Sequence, residues 1–171
     1  MQNGRGLNLQ GRNLTRSPDP ADIVVRPVVD DDFPAWAPLW SGYNAFYGRQ
    51  GATELPTEVT RVTWERFLDP SEPVHALVAE KSGRIVGLAH FLYHRSTSQI
   101  AMNCYMQDLF TRPDARGGGV GRRLIEAVYE RARTAGAARV YWLTHHTNAA
   151  ARHLYDQVAD DSGFVVYRKP L

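Results

Sequence analysis

Arg116-Gly117-Gly118-Gly119-Val120-Gly121 is the most informative segment of this 171-residue chain. It follows a predicted strand at residues 100–111 and opens a predicted helix at residues 119–135, where apolar residues recur at helical spacing. Glycines let the backbone turn sharply and bring bare N–H groups close to a ligand. At a helix N-terminus these unpaired donors and the helix dipole favour anions, and neighbouring arginines add positive charge. The segment therefore predicts a site for a diphosphate.

Two other glycine-rich phosphate sites fit the segment poorly. A Walker loop requires Lys and then Ser or Thr after its last glycine, whereas Arg122 follows Gly121 here. A dinucleotide-binding fold places its glycines after an early strand, with an acidic residue about 20 positions further on. In this chain the segment follows the fourth predicted strand, and too little chain remains for that fold.

The other predicted elements flank this turn in a regular order. Runs of β-branched and aromatic residues predict strands at residues 23–29, 74–80, 85–93, 100–111, 139–144 and 164–167. Helices are predicted after the capping residues Asp30-Asp31-Asp32, at residues 57–68, at residues 119–135, and from Asn148 to about residue 157. Lys81-Ser82-Gly83-Arg84 is typical of a hairpin turn. This order predicts an α/β or α+β sheet with helices on both faces.

At this point the sequence resembles the GNAT superfamily of N-acetyltransferases. Residues 116–121 are similar to the family pattern Gln/Arg-x-x-Gly-x-Gly/Ala at a strand-to-helix turn. Residues 148–155 match the pattern Asn-x-x-Ala-x-x-Leu-Tyr, and Gly163-Phe164 resembles the Gly-Phe that opens the family's last strand. The resemblance implies a mixed, mostly antiparallel central sheet flanked by helices on both faces. The run Tyr141-Trp142-Leu143-Thr144-His145 further resembles a branch that acetylates histones, polyamines and small amines.

The resemblance also implies acetyl-CoA as the cosubstrate and no metal. The residues expected to contact it are Leu109, Phe110, Thr111, Arg116, Gly117, Gly118, Gly119, Val120, Gly121, Arg122, Asn148 and Tyr155. Among them, Tyr155 is expected to lie near the CoA sulfur as the general acid, because a phenol of pKa about 10 keeps its proton at neutral pH.

The general base has several candidates. Many relatives carry Glu directly before the position of Asp108, but here that residue is Gln107, which cannot take a proton. Asp108 is the first candidate, although it faces the other side of an ideal strand unless a bulge re-aims it. His145, His146 and a chain of water molecules are the alternatives.

An amine acceptor is expected beside the early aromatic helix. Trp36, Trp40, Tyr43 and Tyr47 lie where GNAT proteins build acceptor specificity, and aromatic faces attract ammonium groups. Residues 17–80 contain eleven acidic residues and four arginines, net −7, whereas residues 81–171 carry net +6. The sequence therefore favours a small cationic amine, such as a polyamine, or a protein lysine side chain.

The cysteine count and the hydropathy of the chain limit the classes of protein to which it can belong. Cys104 is the only cysteine, which excludes an internal disulfide, and no apolar run approaches the ~20 residues that span a membrane. We expect a soluble, cytoplasmic protein with a flexible lead-in at residues 1–22 and one acetyltransferase domain at residues 23–171. Nucleic-acid binding is not expected, and a homodimer is implied by resemblance alone. The alternative function is a non-catalytic GNAT-like domain that binds acyl-CoA as a sensor.

Overall fold

The computed structural model describes residues 22–171, which are built on one five-stranded sheet. Its strands are β1 (Ile23–Pro27), β2 (Val74–Lys81), β3 (Arg84–His94), β4 (Asn103–Thr111) and β5 (Arg139–Tyr141). Its α-helices are α1 (Phe33–Phe46), α2 (Thr57–Leu68), α3 (Val120–Thr134) and α4 (Ala149–Tyr155). The strands lie side by side in chain order; β1 to β4 pair antiparallel, and β5 pairs parallel to β4. The predicted mixed, mostly antiparallel sheet is confirmed.

Helices cover both faces of this sheet, as the sequence predicts. On one face α1 and α2 bury Trp36, Trp40 and Trp64 against the strands. On the other face α3 buries Leu124 and Val128 completely. Because removing apolar surface from water is the main driving force of folding, the sheet is held between two separate apolar cores.

The turn between β2 and β3 has the predicted hairpin geometry. Ser82 and Gly83 both have positive φ angles, 51° and 71°. Two such residues form the turn whose twist matches that of the flanking strands. The hairpin predicted at residues 81–84 is confirmed.

A bulge in β4 changes which side chains face α1. His90 pairs with Asp108 while Phe91 pairs with Met106, so Gln107 has no partner on β3. One extra residue moves the following side chains to the opposite face of the pleat. Met106 therefore packs in the core beneath α3, whereas Asp108 bonds to His90, whose ring lies against Trp36 of α1.

One predicted strand is wrong, and another extends further than the structure shows. Residues 164–167 form no strand, and Phe164 and Tyr167 are 89% and 93% exposed. Composition favours a strand only where a sheet edge pairs with it, and within residues 22–171 no strand pairs with this segment. For the same reason β5 ends at Tyr141 and does not continue to residue 144.

The predicted capping side chains make other bonds. Asp30–Asp32 forms a short 3-10 turn before α1, and the Asp32 carboxylate accepts the Val29 N–H and pairs with Arg26 at 2.6 Å. Asn148 occupies the N-cap position of α4, but its amide donates to Thr144 Oγ1 at 3.3 Å and makes no cap bond. Neither side chain therefore caps the first turn of the α-helix that follows it.

The lead-in predicted at residues 1–22 lies outside the described residues, apart from Asp22. Within residues 22–171, no helix combines the length and apolar character needed to cross a bilayer. The same part of the chain contains no group of three or more His, Cys, Asp or Glu side chains suited to a metal ion.

Candidate active site

A groove opens where β4 and β5 part. The two strands pair only at residues 103–105 and Arg139–Tyr141, whereas β4 continues to Thr111. Beyond residue 105 no described strand completes the ladder on this side, so backbone N–H and C=O groups are left free to bond a ligand. The groove has a volume of about 510 Å³. Its walls include Tyr43, Phe46, Tyr47, Leu109, Phe110, Thr111, Arg116, Gly117, Gly119, Val120, Gly121, Arg122, Asn148, Leu154 and Tyr155.

The glycine-rich turn forms one end of this groove. Gly117 and Gly119 have φ angles of 74° and 85°, which favour glycine, and Gly119 is the N-cap of α3. A Cβ atom added at either position would meet nothing within 4 Å, so the space beside the turn is open. The N–H groups of the first turn of α3 therefore face a space that suits an anion.

Two arginines are held beside the turn. The Arg116 Nε donates to the Thr111 carbonyl at 3.2 Å, and its guanidinium lies 5.7 Å from the centre of the Phe110 ring. Arg122 donates to the side chain of Gln157, beyond α4. Both positive charges stay near the helix N-terminus, where they reinforce its preference for anions.

Gly87 sets how closely α3 approaches the sheet. A Cβ atom added there would lie 2.9 Å from Val120 Cγ1 and 3.0 Å from both Leu124 Cδ1 and the Phe110 carbonyl oxygen. Real side chains do not pack that closely, so only glycine allows this contact. Because Gly87 has no side chain, α3 can approach β3 this closely. The contact therefore fixes the position of the turn that precedes Val120.

Asp108 is buried, with 5% of its surface exposed; it directly precedes wall residue Leu109 but does not itself line the groove. His90 Nδ1 lies 2.9 Å from Asp108 Oδ2. Burial and then the nearby Asp108 charge raise the pKa of Tyr43 well above its usual range, and the same two causes raise the pKa values of Tyr47 and Tyr105. A carboxylate therefore lies among three neutral phenols.

Tyr47 lies near both this carboxylate and Tyr155. Tyr47 is close enough to Asp108 for its pKa to respond to the carboxylate charge. Burial raises the pKa of Tyr155 to about 12, with a smaller contribution from Tyr47. The Tyr155 ring packs edge-on against Trp142, with 5.2 Å between ring centres. Tyr47, which is half-exposed, and Tyr155 thus both lie on the groove wall, and Tyr47 is near enough to the buried carboxylate to respond to its charge.

The groove gathers most of the residues predicted to contact CoA. Eleven of the twelve form its wall, and Gly118 lies between two that do. Of the four aromatic residues predicted beside the acceptor, Tyr43 and Tyr47 form part of the wall. The structure does not bring Trp36 and Trp40 there, because they are 0% and 6% exposed within the core under α1.

The alternative bases lie elsewhere. His145 and His146 are exposed and stack on each other, with 4.5 Å between ring centres. His145 Nδ1 bonds to Thr147 Oγ1 at 2.6 Å, and neither imidazole forms part of the groove wall.

Sequence reasoning missed His90 and Gly87. Each carried a signal, because a polar His and a glycine both interrupt the apolar strand Arg84–His94. A polar group in the middle of a buried strand requires a buried partner, and a glycine there often marks a close approach of another chain segment.

A larger cavity, of about 910 Å³, lies on the far side of Phe110 between α1 and the β2–β3 hairpin. Two of its four arginines already have anionic partners, since Arg26 pairs with Asp32 and Glu80, and Arg112 pairs with Asp114. It contains neither Tyr155 nor the glycines of the turn, whereas the smaller groove contains both. The smaller groove is therefore the candidate active site.

Known proteins share this fold and much of the sequence. The chain is 38% identical over 149 residues to the D-amino-acid N-acetyltransferase HPA3 of Saccharomyces cerevisiae, covering 86% of this chain and 90% of the yeast protein. It is 34% identical over 105 residues to a phosphinothricin N-acetyltransferase of Alcaligenes faecalis, covering 60% of this chain and 51% of that protein. The aminoglycoside N-acetyltransferase AAC(6')-Iy, solved in complex with CoA, has the same fold at a TM-score of 0.73 and 15% identity, over 86% of this chain and 94% of that chain.

A sequence model of the Acetyltransferase (GNAT) family matches residues 36–159, which include the groove and both of its ends. The narrower resemblance to a histone- and polyamine-acetylating branch is not confirmed by these relatives. The family match covers well over half of the chain and agrees with the fold and with the glycine-rich turn. The chain belongs to the Acetyltransferase (GNAT) family.

Proposed function

We propose that this protein transfers the acetyl group of acetyl-CoA to the primary amine of a small molecule by direct attack in a ternary complex. The observation that carries the proposal is the groove itself, whose wall contains both the glycine-rich turn and Tyr155, with the buried Asp108 directly before wall residue Leu109 on β4. An acid on the groove wall and a carboxylate behind it thereby accompany a turn that suits a diphosphate. Acetyl transfer to an amine requires this combination.

The residues present fit a CoA thioester. We infer that the N–H groups of the turn at residues 117–121, with Arg116 and Arg122, hold the pyrophosphate, because the space beside Gly117 and Gly119 is open. The unpaired edge of β4 at residues 109–111 offers backbone groups for the amides of the pantetheine arm. Bound acetyl-CoA supplies the acetyl group as a thioester, whose C–S bond breaks as the amide bond forms.

Asp108 and Tyr155 handle the protons. Alkyl amines are mostly ammonium at neutral pH, with a pKa of about 10.4 for a lysine side chain, so one proton must leave before the nitrogen can attack. Asp108 accepts that proton. Tyr155, whose pKa burial raises to about 12, still carries its proton and donates it to the departing sulfur. The nitrogen loses a second proton as the amide forms, which balances the one that Tyr155 has given, so the net products are an amide, a thiol and one proton.

The acceptor that the site favours is an amino acid. Within the described residues 22–80, no acidic side chain lines the groove, so the negative charge of this region does not support a polyvalent cation there. Arg49 instead lies near Tyr43 and Tyr47, close enough to offset part of the rise in the pKa of each, and bonds to Asn44 at 2.9 Å. A cation beside two tyrosines of the groove wall suits a carboxylate next to the reacting amine, and the yeast relative is a D-amino-acid N-acetyltransferase. A polyamine or a lysine side chain is the second candidate, favoured by the tyrosine faces alone.

Release of free CoA thiol from acetyl-CoA, measured with a panel of amino acids, polyamines and lysine peptides, tests the proposal. We expect turnover with at least one class of primary amine, and a loss of at least tenfold in kcat for Asp108→Asn. Tight acetyl-CoA binding without turnover on any amine would instead favour the acyl-CoA sensor. Full activity of Asp108→Asn would remove Asp108 from the role of base.

A further inference from the structure

Three buried residues form a hydrogen-bonded chain that ends on Asp108. Trp36 Nε1 lies 3.0 Å from His90 Nε2, and His90 Nδ1 lies 2.9 Å from Asp108 Oδ2. Their exposed fractions are 0%, 2% and 5%, so water does not compete for these bonds. The hydrogen-bonded chain links α1, β3 and β4, which pack against one another.

The first donor fixes the protonation of the imidazole. An indole N–H only donates, so His90 Nε2 must accept and cannot carry a proton. The single proton of the neutral ring is therefore on Nδ1, from which it is donated to Asp108. The hydrogen bonds run in one direction, from Trp36 through His90 to a carboxylate that only accepts.

Aromatic packing keeps the imidazole in this orientation. The His90 ring centre lies 4.5 Å from that of Phe67, 5.2 Å from that of Trp40 and 5.8 Å from that of Trp36. A ring enclosed in this way cannot flip to exchange its two nitrogens without moving the core. The direction of the bond to Asp108 is thus determined by the fold.

The carboxylate needs this bond because of the bulge at Gln107. The extra residue turns Asp108 away from the core beneath α3 and into the buried space under α1. A carboxylate taken out of water is costly unless donors satisfy it, and an unsatisfied one takes up a proton and loses its basicity. The donor that His90 holds at a fixed position against Oδ2 favours the charged form.

We propose that His90 is a positioning residue that holds Asp108 as an oriented carboxylate, and that Trp36 selects the tautomer in which His90 can do so. This inference rests on the proposed function of Asp108 as the base. His90 does not contact the acceptor and exchanges no proton with it. The other titratable or charged groups around Asp108 are Tyr43, Tyr47 and Tyr105, with Arg49 beyond them, and the raised pKa values of the three phenols keep them neutral throughout the acidic range.

Kinetic variants test the positioning role. His90→Leu removes the donor and should lower kcat at least tenfold and move the acidic limb of the kcat/KM profile to higher pH, while the acetyl-CoA Kd stays within twofold. His90→Asn places an amide N–H where Nδ1 stands and should restore the acidic limb. Trp36→Phe keeps an aromatic ring but lets both tautomers form, and should give an intermediate shift of the limb.

The tautomer itself is measurable in the wild-type protein, without any variant that risks misfolding. Nitrogen-15 NMR of the His90 ring should show a protonated Nδ1 and an unprotonated Nε2. A protonated Nε2, or a folded His90→Leu variant with the wild-type pH profile and kcat, overturns the inference. A fully active Asp108→Asn variant would instead contradict the proposed role of Asp108 as the base. An inactive Asp108→Asn variant together with an unchanged His90→Leu variant would contradict only the positioning role of His90.

Discussion

A Cβ atom added to Gly87 would lie 2.9 Å from Cγ1 of Val120. Val120 is the first residue of α3 and directly follows the glycine at the N-cap of that helix. The contact therefore sets how far the N–H groups of the turn stand from the edge of β4. Gly87 of β3 does not line the groove, yet it determines the shape of the groove.

Gly87→Ala should lower both the stability of the fold and the affinity of the glycine-rich turn for acetyl-CoA. The new methyl group must displace Val120, Leu124 or the Phe110 carbonyl, and overpacking of this kind costs about 1–3 kcal/mol. Denaturant unfolding should show that loss, and calorimetry should show weaker acetyl-CoA binding. Gly42→Ala is the comparison, because its methyl group would meet only the far end of the Phe110 ring, at 3.0 Å, and the ring can turn. Equal stability losses in the two variants would contradict this account.

Periodicity was sufficient to predict the helices and most of the sheet. The aromatic residues of α1 and the apolar residues of α3 recur at helical spacing because one face of each helix is buried against the sheet. Motif spacing likewise predicted the glycine-rich turn, since φ angles of 74° and 85° at Gly117 and Gly119 require glycine there.

The site around Asp108 was harder to predict. A bulge adds one residue to a strand without interrupting its apolar character, so Gln107 carries no mark of it in the sequence. The contact between Trp36 and His90 joins residues 54 positions apart, and no local pattern links them. The strand predicted at residues 164–167 failed for a related reason, because pairing depends on where a free sheet edge lies and not only on composition.

Gly119→Ala should reduce acetyl-CoA affinity at least tenfold, which corresponds to about 1.4 kcal/mol. The methyl group enters the open space beside the turn, and the φ angle of 85° disfavours any side chain. Gly136→Ala is the matched control, since Gly136 has a φ of 67° and open surroundings at the far end of α3. Both variants should lose similar stability, but only Gly119→Ala should lose affinity by calorimetry. Unchanged binding in folded Gly119→Ala would exclude the turn as the pyrophosphate site.

Tyr155→Phe should lower kcat more than it alters the acetyl-CoA Kd, because the proton donor is lost while the ring against Trp142 remains. Steady-state kinetics and calorimetry measure the two effects separately.

The pKa of about 12 for Tyr155 also has a consequence for stability. Since it lies above the usual value of about 10, the stabilisation by this group is complete below about pH 10 and is lost as the pH rises towards 12. The free energy of unfolding of Tyr155→Phe should therefore fall less steeply with pH in that range than that of the wild type. If the two proteins lose stability identically at alkaline pH, the phenol is not buried in solution.

Arg49→Gln should discriminate between acceptors according to whether they carry a carboxylate. If Arg49 binds that group, the variant should raise the KM of an amino acid about tenfold, or ~1.4 kcal/mol, and leave the KM of the matching amine without a carboxylate nearly unchanged. An effect of Arg49 on the ammonium group, which both substrates share, would change both equally, and added salt would weaken it, because exposed charges are screened beyond about 8 Å at physiological ionic strength. Arg61→Gln is the control, since Arg61 lies exposed on α2 and pairs with Glu58 and Glu65. The measurement is CoA thiol release for each amino acid and its decarboxylated partner, in both D and L forms where they exist. Should polyamines be the better substrates and Arg49→Gln improve their use, the acceptor is a polyvalent cation and Arg49 repels it, while acetyl transfer by this groove is unaffected.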